Sequence, residues 1–282
     1  MGIVSESMRQ AAASRVRRPA VAGYFYPAEP AELAHAIATL TRGATPASRA
    51  MAALVPHGSF RHAGHVIGPT LASIRIPRRC LILGPSHTGS WMPWSVMASG
   101  AYRTPLGEVP IDADCVDALR QRCPFLEADA WAQRGEHAIE VVLPFLQHLG
   151  PPDLAIVPLV MGPVAREEIA RLAVAIAQVV RMLEEPALVL ASADLSHYLP
   201  HEQAVQQDRA LLQAVCALRP AGMRGAVERA GLHLCGEDAL ACALEAARAL
   251  GASGGAVVRY GTSAQAGGDP HSAIGYAGVV MR

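Results

Sequence analysis

Apolar runs of strand length alternate with amphipathic stretches along the chain, and this alternation predicts an α/β fold. Buried strands are predicted at residues 51–55, 80–83, 94–99, 153–160, 188–193, 256–260 and 274–281. Helices are predicted at residues 29–40, 136–149, 164–183, 200–218 and 236–250, with one that ends near residue 74 and one that begins at residue 112. Because parallel strands need long crossovers, we expect a central, mostly parallel or mixed sheet flanked by helices. The pattern predicts one domain at residues 18–282, after a disordered leader at residues 1–17.

Polar side chains follow three of these apolar runs at the point where each run stops. A proline or a Gly-Pro pair ends the first two runs, and the first titratable side chains after them are His57 and His87. Asp194 and His197 follow the run at 188–193 in the same way. The ligand crevice of an open α/β sheet lies outside the carboxyl ends of its strands, so we expect these endings to converge on one site.

The composition narrows the classes of function that suit this chain. Its 282 residues are 51% hydrophobic and 17% charged, which is typical of a compact, enzyme-sized protein. The formal net charge is zero, so no basic field attracts nucleic acid or an anionic membrane surface. All 24 basic residues are arginine, and without lysine the chain carries neither a Walker phosphate loop nor a Schiff base.

The cysteines and the N-terminal residues indicate the cellular compartment. Six cysteines are scattered without a C-x-x-C pair, and residues 1–18 lack the apolar core of a signal peptide, so we expect a cytoplasmic protein. No apolar run reaches the roughly 18 residues that span a bilayer. We therefore expect a small-molecule or peptide ligand rather than nucleic acid or a membrane as partner, and the residues leave a homo-oligomer open.

Two histidines and a cysteine are candidate metal ligands. Neutral imidazole is the commonest metal ligand, so His57 and His87 together indicate a metal site, although either could be a satisfied polar residue at a strand end. Two imidazoles need a further donor to form a site that keeps positions open for substrate. Cys235 precedes a predicted helix, whose dipole favours its thiolate for metal binding or nucleophilic chemistry. The other five cysteines lie within strand or helix patterns and are interpreted as core residues.

Two further pairs could carry acid–base chemistry. In a helical turn, Asp194 and His197 would share a face, and the aspartate would orient the imidazole as a general base. Alternatively, Asp194 caps the next helix. His137 and Glu140 would share a face of the predicted 136–149 helix, either as half of a carboxylate metal site or beside a capping box on a solvated face.

Three adjacent aromatic residues occupy positions 24–26 of a chain that is only 5% aromatic. This segment either packs over an edge of the sheet or forms a wall of the ligand pocket. In the second interpretation Tyr24 and Phe25 contact the ligand.

Seven short motifs, taken in order, resemble those of the MEMO family, also called AmmeMemoRadiSam system protein B. They are PAVAGYFYP (19–27), VPH (55–57), GPSH (84–87), YRTPLG (102–107), EHAIE (136–140), SADLSHY (192–198) and CG (235–236). The family is similar in fold to class III extradiol dioxygenases, of which the true enzymes hold a mononuclear non-haem iron. The resemblance implies that His57, His87 and Cys235 are metal ligands, and that Asp194 and His197 match the family's acid and base. Fe(II) is the expected ion, and the softer thiolate would also accept copper or zinc.

One motif departs from the family pattern. The family has Pro-His-Ala-Gly-Tyr after the first strand, whereas here Gly58 follows His57, and His62 begins a second His-Ala-Gly run five residues later. We assign His57 as the ligand because it directly follows the strand. His62 is expected to line the substrate site or to serve as an extra ligand.

Three functions are compatible with these residues. The first is an iron-dependent, dioxygenase-like oxidoreductase acting on a small organic substrate, with His197 moving protons. The second is a non-catalytic protein that captures a peptide or small molecule in the same pocket. The third is a zinc-dependent hydrolase in which Glu140 or His197 activates metal-bound water. The fold alone does not decide among them.

Overall fold

A computed structural model describes residues 16–44, 48–88 and 93–282 of the chain. The strands are β1 (Val16–Arg17), β2 (Ala52–Val55), β3 (Arg79–Pro85), β4 (Trp94–Val96), β5 (Ala101–Thr104), β6 (Gly107–Pro110), β7 (Glu127–Ala128), β8 (Ala155–Met161), β9 (Ala187–Ser192), β10 (Gly255–Thr262) and β11 (Gly275–Met281). Eight of them form the main sheet in the order β10-β11-β2-β9-β3-β8-β4-β7, and a small sheet has the order β1-β5-β6.

Helices connect most of the strands of the main sheet. They are α1 (Pro30–Leu40), α2 (Phe60–Ala72), α3 (Ala113–Arg122), α4 (Leu143–Leu149), α5 (Arg166–Met182), α6 (His201–Cys216), α7 (Pro220–Ala230) and α8 (Glu237–Leu250). A short 3-10 helix, Ser263–Ala266, follows β10. Asp112 caps α3, because its side chain accepts a hydrogen bond from the N–H of Cys115. Over the described ranges, no helix combines the length and the apolar character that crossing a membrane requires.

The centre of the main sheet is parallel and its margins are mixed. Strands β2, β9, β3 and β8 run parallel, whereas β10 with β11, β11 with β2, and β4 with β8 are antiparallel. Every residue of β2 and β9 is buried, although successive side chains point to opposite faces of the sheet. Both faces are therefore covered, and the predicted α/β fold with a mixed sheet flanked by helices is confirmed.

The predicted helix at residues 136–149 is wrong in its first half. Residues 136–142 are not helical, with turns at 138–142, and α4 begins only at Leu143, with Pro144 in its first turn, where a missing N–H costs little. The carboxylate of Glu136 accepts hydrogen bonds from the N–H groups of His137 and Ala138 at 2.7 and 2.8 Å, and this arrangement holds the turn. His137 and residue 140 consequently do not share a helical face.

An unpredicted helix and the end of the leader also differ from the sequence analysis. Helix α7 was not predicted, although Pro220 opens it and Gly231, with a φ of 59°, ends it in the left-handed conformation. Val16 and Arg17, assigned to the leader, form β1 and pair with β5. Because Arg17 is buried, the ordered fold includes the last two positions of the predicted leader. The rest of that leader, residues 1–15, lies outside the described residues.

Candidate metal centre

Three neighbouring strands of the main sheet deliver polar side chains to one edge. Strand β9 lies between β2 and β3 and is parallel to both. His57, Asp194 and His87 follow β2, β9 and β3 respectively, so the shared strand direction brings them together. The ring centroids of His57 and His87 are 5.1 Å apart. The strand endings therefore converge as the sequence pattern predicts.

His57 is almost entirely enclosed, with 2% of its surface exposed. Its Nδ1 lies 3.1 Å from Oγ of Ser192, and that hydroxyl donates to the carbonyl of Ala138 at 2.7 Å. Since the serine hydroxyl donates its proton to the carbonyl, Oγ accepts a hydrogen bond from Nδ1–H of His57. Nε2 is then the bare nitrogen, without a proton, of the neutral His57 ring. Nε2 is buried and has no hydrogen-bond partner among the described residues.

His87 and Cys235 complete the group that faces His57. Nε2 of His87 lies 2.8 Å from Sγ of Cys235. On the other side of the His87 ring, Nδ1 donates to Oε1 of Glu136 at 2.8 Å. The ligand atoms of His57, His87 and Cys235 all lie within 4.8 Å of one another. Such spacing is compatible with one ion held by two imidazoles and a thiolate.

Cys235 reaches the site because the segment before α8 is bridged to the end of β9. Asp194 donates its N–H to the carbonyl of Cys235 at 3.0 Å in an isolated antiparallel bridge. Gly236 follows with a φ of 94°, and a Cβ at this position would lie 2.8 Å from the carbonyl oxygen of Ser192. Only glycine combines this backbone conformation with such a close approach. The turn that presents Cys235 therefore depends on the glycine at position 236.

His57, His87 and Cys235 shift one another's pKa values. Burial would raise the pKa of Cys235, but the two histidines beside it outweigh burial and lower it. Burial likewise lowers the pKa of His87, yet hydrogen bonds with Cys235 and Glu136 raise it to about 10. For His57, burial is again opposed by Asp194 and Cys235, and the pKa is raised overall. Without an ion the site thus favours a protonated His87 beside the thiolate of Cys235, and metal binding would displace the proton on Nε2 of His87.

His137 lies against the same group. Its ring stacks on His87 with centroids 4.3 Å apart and meets the ring of His57 edge-on at 5.7 Å. Burial, followed by the charge of His87, lowers the pKa of His137 to about 4. Ligand atoms of His87, Glu136 and His137 also lie within 4.8 Å of one another, so a second grouping shares His87 with the first.

Asp194 and His197 are not brought together as an orienting pair. The residues between them are not helical, and Asp194 instead accepts a 2.9 Å hydrogen bond from the N–H of His57. Nδ1 of His197 lies 2.8 Å from the carbonyl of Leu195 and 3.2 Å from that of His233. The expectation that Asp194 orients the His197 ring is corrected, because backbone carbonyls occupy Nδ1. Asp194 also does not cap α6, which begins after Pro200.

Glu140 is fully buried in a network that anchors the first described residues. It forms an ion pair with Arg17, and it accepts hydrogen bonds from the N–H groups of Ala20 and Val21 at 2.8 and 3.0 Å. Tyr26 donates its hydroxyl to the same carboxylate at 2.5 Å. Both oxygens of Glu140 are therefore occupied by structural contacts.

The aromatic segment is divided between the site and solvent. Phe25 meets the ring of His137 edge-on at 4.9 Å, whereas the neighbouring Tyr24 is 87% exposed. His62 lies in the first turn of α2, where its Nδ1 is 3.1 Å from Oγ of Ser59. His62 is not part of either potential metal grouping in the described structure.

Sequence reasoning did not assign a role to two residues that contact His57 and His87, namely Ser192 and Glu136. Ser192 is the last residue of β9, so its place at the strand end was a usable signal. Glu136 was noted only as the start of a helix and of the EHAIE motif, without a contact to His87. Its contact with His87 spans 49 positions, and no local spacing indicates it.

The chain is similar to known proteins over nearly its whole length. The family model described as Memo-like protein matches residues 17–280. The MEMO1 family protein MK0963 of Methanopyrus kandleri is 37% identical over 279 residues, covering 94% of this chain and 99% of that protein. A MEMO1 family protein of Aquifex aeolicus is 34% identical over 269 residues, covering 95% of this chain and 99% of that protein. The uncharacterized Escherichia coli K12 protein JW3007 has a similar fold, with a TM-score of 0.52 at 13% identity over 82% of this chain and all of that one.

Proposed function

The chain belongs to the Memo-like protein family, and from this membership and the side chains at its site we propose that His57, His87 and Cys235 hold one transition-metal ion. Fe(II) is the ion we propose, and copper or zinc are the alternatives that a soft donor set accepts. The proposed activity is that of an oxidoreductase, redox or oxygen-dependent, acting on a small organic substrate.

One observation carries the proposal, namely the bare Nε2 of His57. A buried polar atom without a partner costs about 1–3 kcal/mol, so natural proteins retain one where a ligand can satisfy it. Nε2 of His87 and Sγ of Cys235 lie beside each other at the same place, 2.8 Å apart. These donors suit a metal ion, because the lone pairs of two imidazoles and a thiolate are the ligands that iron, copper and zinc accept.

Asp194 and His197 have separate tasks in this proposal. A bound ion would supply one-electron chemistry and open coordination positions for substrate. Asp194 anchors the backbone of His57 through a 2.9 Å hydrogen bond and adds negative charge beside the cation. His197 keeps its proton on Nδ1, which donates to the carbonyl of Leu195, and so presents Nε2 as a proton acceptor.

A second candidate is a binding protein without catalysis. The exposed ring of Tyr24, beside Phe25 against His137, favours it, since exposed aromatic side chains are common in ligand-capturing surfaces. The zinc hydrolase has less support, because both oxygens of Glu140 already accept hydrogen bonds from the N-terminal segment.

Metal content tests the proposal directly. Wild type, His57→Ala, His87→Ala and Cys235→Ser would be purified anaerobically and measured by elemental analysis. Cys216→Ser is the matched control, because Cys216 is also half-buried but lies outside the candidate grouping. Near-stoichiometric iron in wild type and control, lost in the three variants, would support the site. A wild type that takes up no iron, copper or zinc on reconstitution would overturn it and favour the binding protein.

A further inference from the structure

We infer that Glu136 is a positioning residue, whose carboxylate holds the His87 ring with Nε2 towards the metal site. The inference rests on the proposed function, because it takes His87 to be a ligand. Oε1 of Glu136 accepts from Nδ1–H of His87 at 2.8 Å, and Oε2 accepts from the backbone N–H of the same residue at 2.5 Å. Two contacts to one residue fix both the position of its backbone and the rotation of its ring.

The carboxylate of Glu136 is itself held in place by the backbone of the two residues that follow it. Its Oε1 also accepts from the N–H groups of His137 and Ala138 at 2.7 and 2.8 Å, and the side chain is completely buried. Four donors thus converge on two oxygens, which leaves the carboxylate little freedom to rotate. A carboxylate behind a metal-binding imidazole fixes its tautomer and makes it a stronger ligand.

The loop that carries Glu136 is clamped at a second point. The guanidinium of Arg17 donates to the carbonyls of Gln133 and Glu136 and pairs with the carboxylate of Glu140. Strand β1 therefore anchors the loop that carries Glu136. Glu140 was a candidate for chemistry on its spacing alone, but it binds Arg17 in this anchor. Glu136 is the residue that contacts His87, the proposed metal ligand.

The two histidines are backed by groups of different charge. Nδ1 of His57 donates to the neutral hydroxyl of Ser192, and Nδ1 of His87 donates to the carboxylate of Glu136. A charged acceptor makes a hydrogen bond about twice as strong as a neutral one. The site should consequently depend more on the partner of His87 than on the partner of His57.

Zinc affinity of Glu136→Gln tests the inference, because Zn²⁺ is redox-inert and its binding can be measured against a chelator. We expect about 10-fold to 100-fold weaker binding than wild type, the usual effect of removing such a partner. In a His87→Ala background the same substitution should have no further effect on affinity. Equal zinc affinity in wild type and Glu136→Gln would overturn the inference.

Glu140→Gln is the matched control for damage to the loop. It removes another buried carboxylate of the same segment that has no described contact with His57, His87 or Cys235. Unfolding of the metal-free variants gives their stability independently of zinc. If Glu140→Gln loses stability but keeps zinc affinity, loop damage does not explain the effect of Glu136→Gln. If both variants lose affinity in proportion to stability, Glu136 has a purely structural role and the inference fails.

A spectroscopic measurement on wild type does not depend on the folding of any variant. Nitrogen-15 correlations of the histidine rings should show a slowly exchanging, downfield proton on Nδ1 of His87, with or without zinc. Absence of that proton would overturn the inference even if zinc binds. A wild type that shows the proton but binds no metal would instead refute the proposed function and leave the contact with Glu136 intact.

Discussion

The carboxylate of Asp194 contacts His57 at two points. Its Oδ1 accepts a 2.9 Å hydrogen bond from the backbone N–H of His57, and its Oδ2 lies 3.8 Å from Nε2 of the same residue. Asp194 therefore satisfies a buried donor and also places negative charge beside a proposed ligand. The first task needs only an acceptor oxygen, whereas the second needs the charge, so substitutions can separate them.

Asp194→Asn and Asp194→Ala should differ in stability but not in the direction of their effect on metal binding. Alanine leaves the N–H of His57 without an acceptor, which should cost about 1–3 kcal/mol in the free energy of unfolding. Asparagine keeps an acceptor oxygen and should cost less. Both variants lose the charge and should bind metal more weakly. Denaturant unfolding of the metal-free proteins and metal titrations measure the two effects, and wild-type affinity in Asp194→Asn would contradict the second.

The placement of His57 and His87 could be predicted because its causes are local. Each follows an apolar run that ends at proline, and the rule that ligands gather at the carboxyl ends of parallel strands supplies the rest. Cys235 was predictable in part, since a cysteine before an apolar helix is a local signal. Its approach to His87 depends on the bridge to Asp194, which no sequence pattern indicates.

The roles of Glu136 and Glu140 could not be read from spacing. Helical periodicity favoured 136–149 as one helix, but the carboxylate of Glu136 accepts N–H groups of the next two residues and holds a turn instead. Hydrogen bonds from a side chain to its own backbone compete with helix formation in this way. Glu140 lies opposite Arg17, which is 123 positions away, and such a contact depends on the tertiary fold.

Replacing Arg17 by methionine should destabilise the protein strongly. Arg17 and Glu140 are an ion pair with side chains only 2% and 0% exposed, and removing one partner leaves a buried charge without compensation. We expect a loss of about 3–5 kcal/mol in the free energy of unfolding. Arg166→Met is the matched control, because the pair of Arg166 with Glu228 is mostly exposed and should contribute less than about 1 kcal/mol. Equal denaturation midpoints for the two variants would refute the expectation.

Asp208, which is not among the proposed metal ligands, should make the stability of the fold depend on pH. The buried carboxylate accepts from the N–H and hydroxyl of Ser196 and from the hydroxyl of Tyr260 at 2.7 to 3.1 Å. Burial nevertheless outweighs these bonds and raises the pKa of Asp208 above its usual value. The folded state then holds a proton that the unfolded state has already lost, so stability falls as pH rises from about 4, the ordinary carboxyl value, through the raised pKa.

Asp208→Asn isolates this contribution because asparagine does not titrate in the same range. The free energy of unfolding of wild type minus that of the variant should decrease as pH rises through the window and level off above it. Urea unfolding at a series of pH values measures the difference. A difference that increases with pH would show that the hydrogen bonds from Ser196 and Tyr260 stabilise the charged form more than burial opposes it.

Cys235 should be the fastest thiol to alkylate once metal is removed. The thiolate is the reactive form, and the histidines beside Cys235 lower its pKa, whereas burial raises the pKa of Cys216. Cys216 is also half-buried, so it controls for access of the reagent. With iodoacetamide at neutral pH, peptide mapping should find Cys235 modified first, more slowly in His87→Ala, and least in protein loaded with metal. Equal rates at Cys216 and Cys235 would mean that His57 and His87 do not stabilise the thiolate, and the electrostatic basis of the proposed centre would be lost.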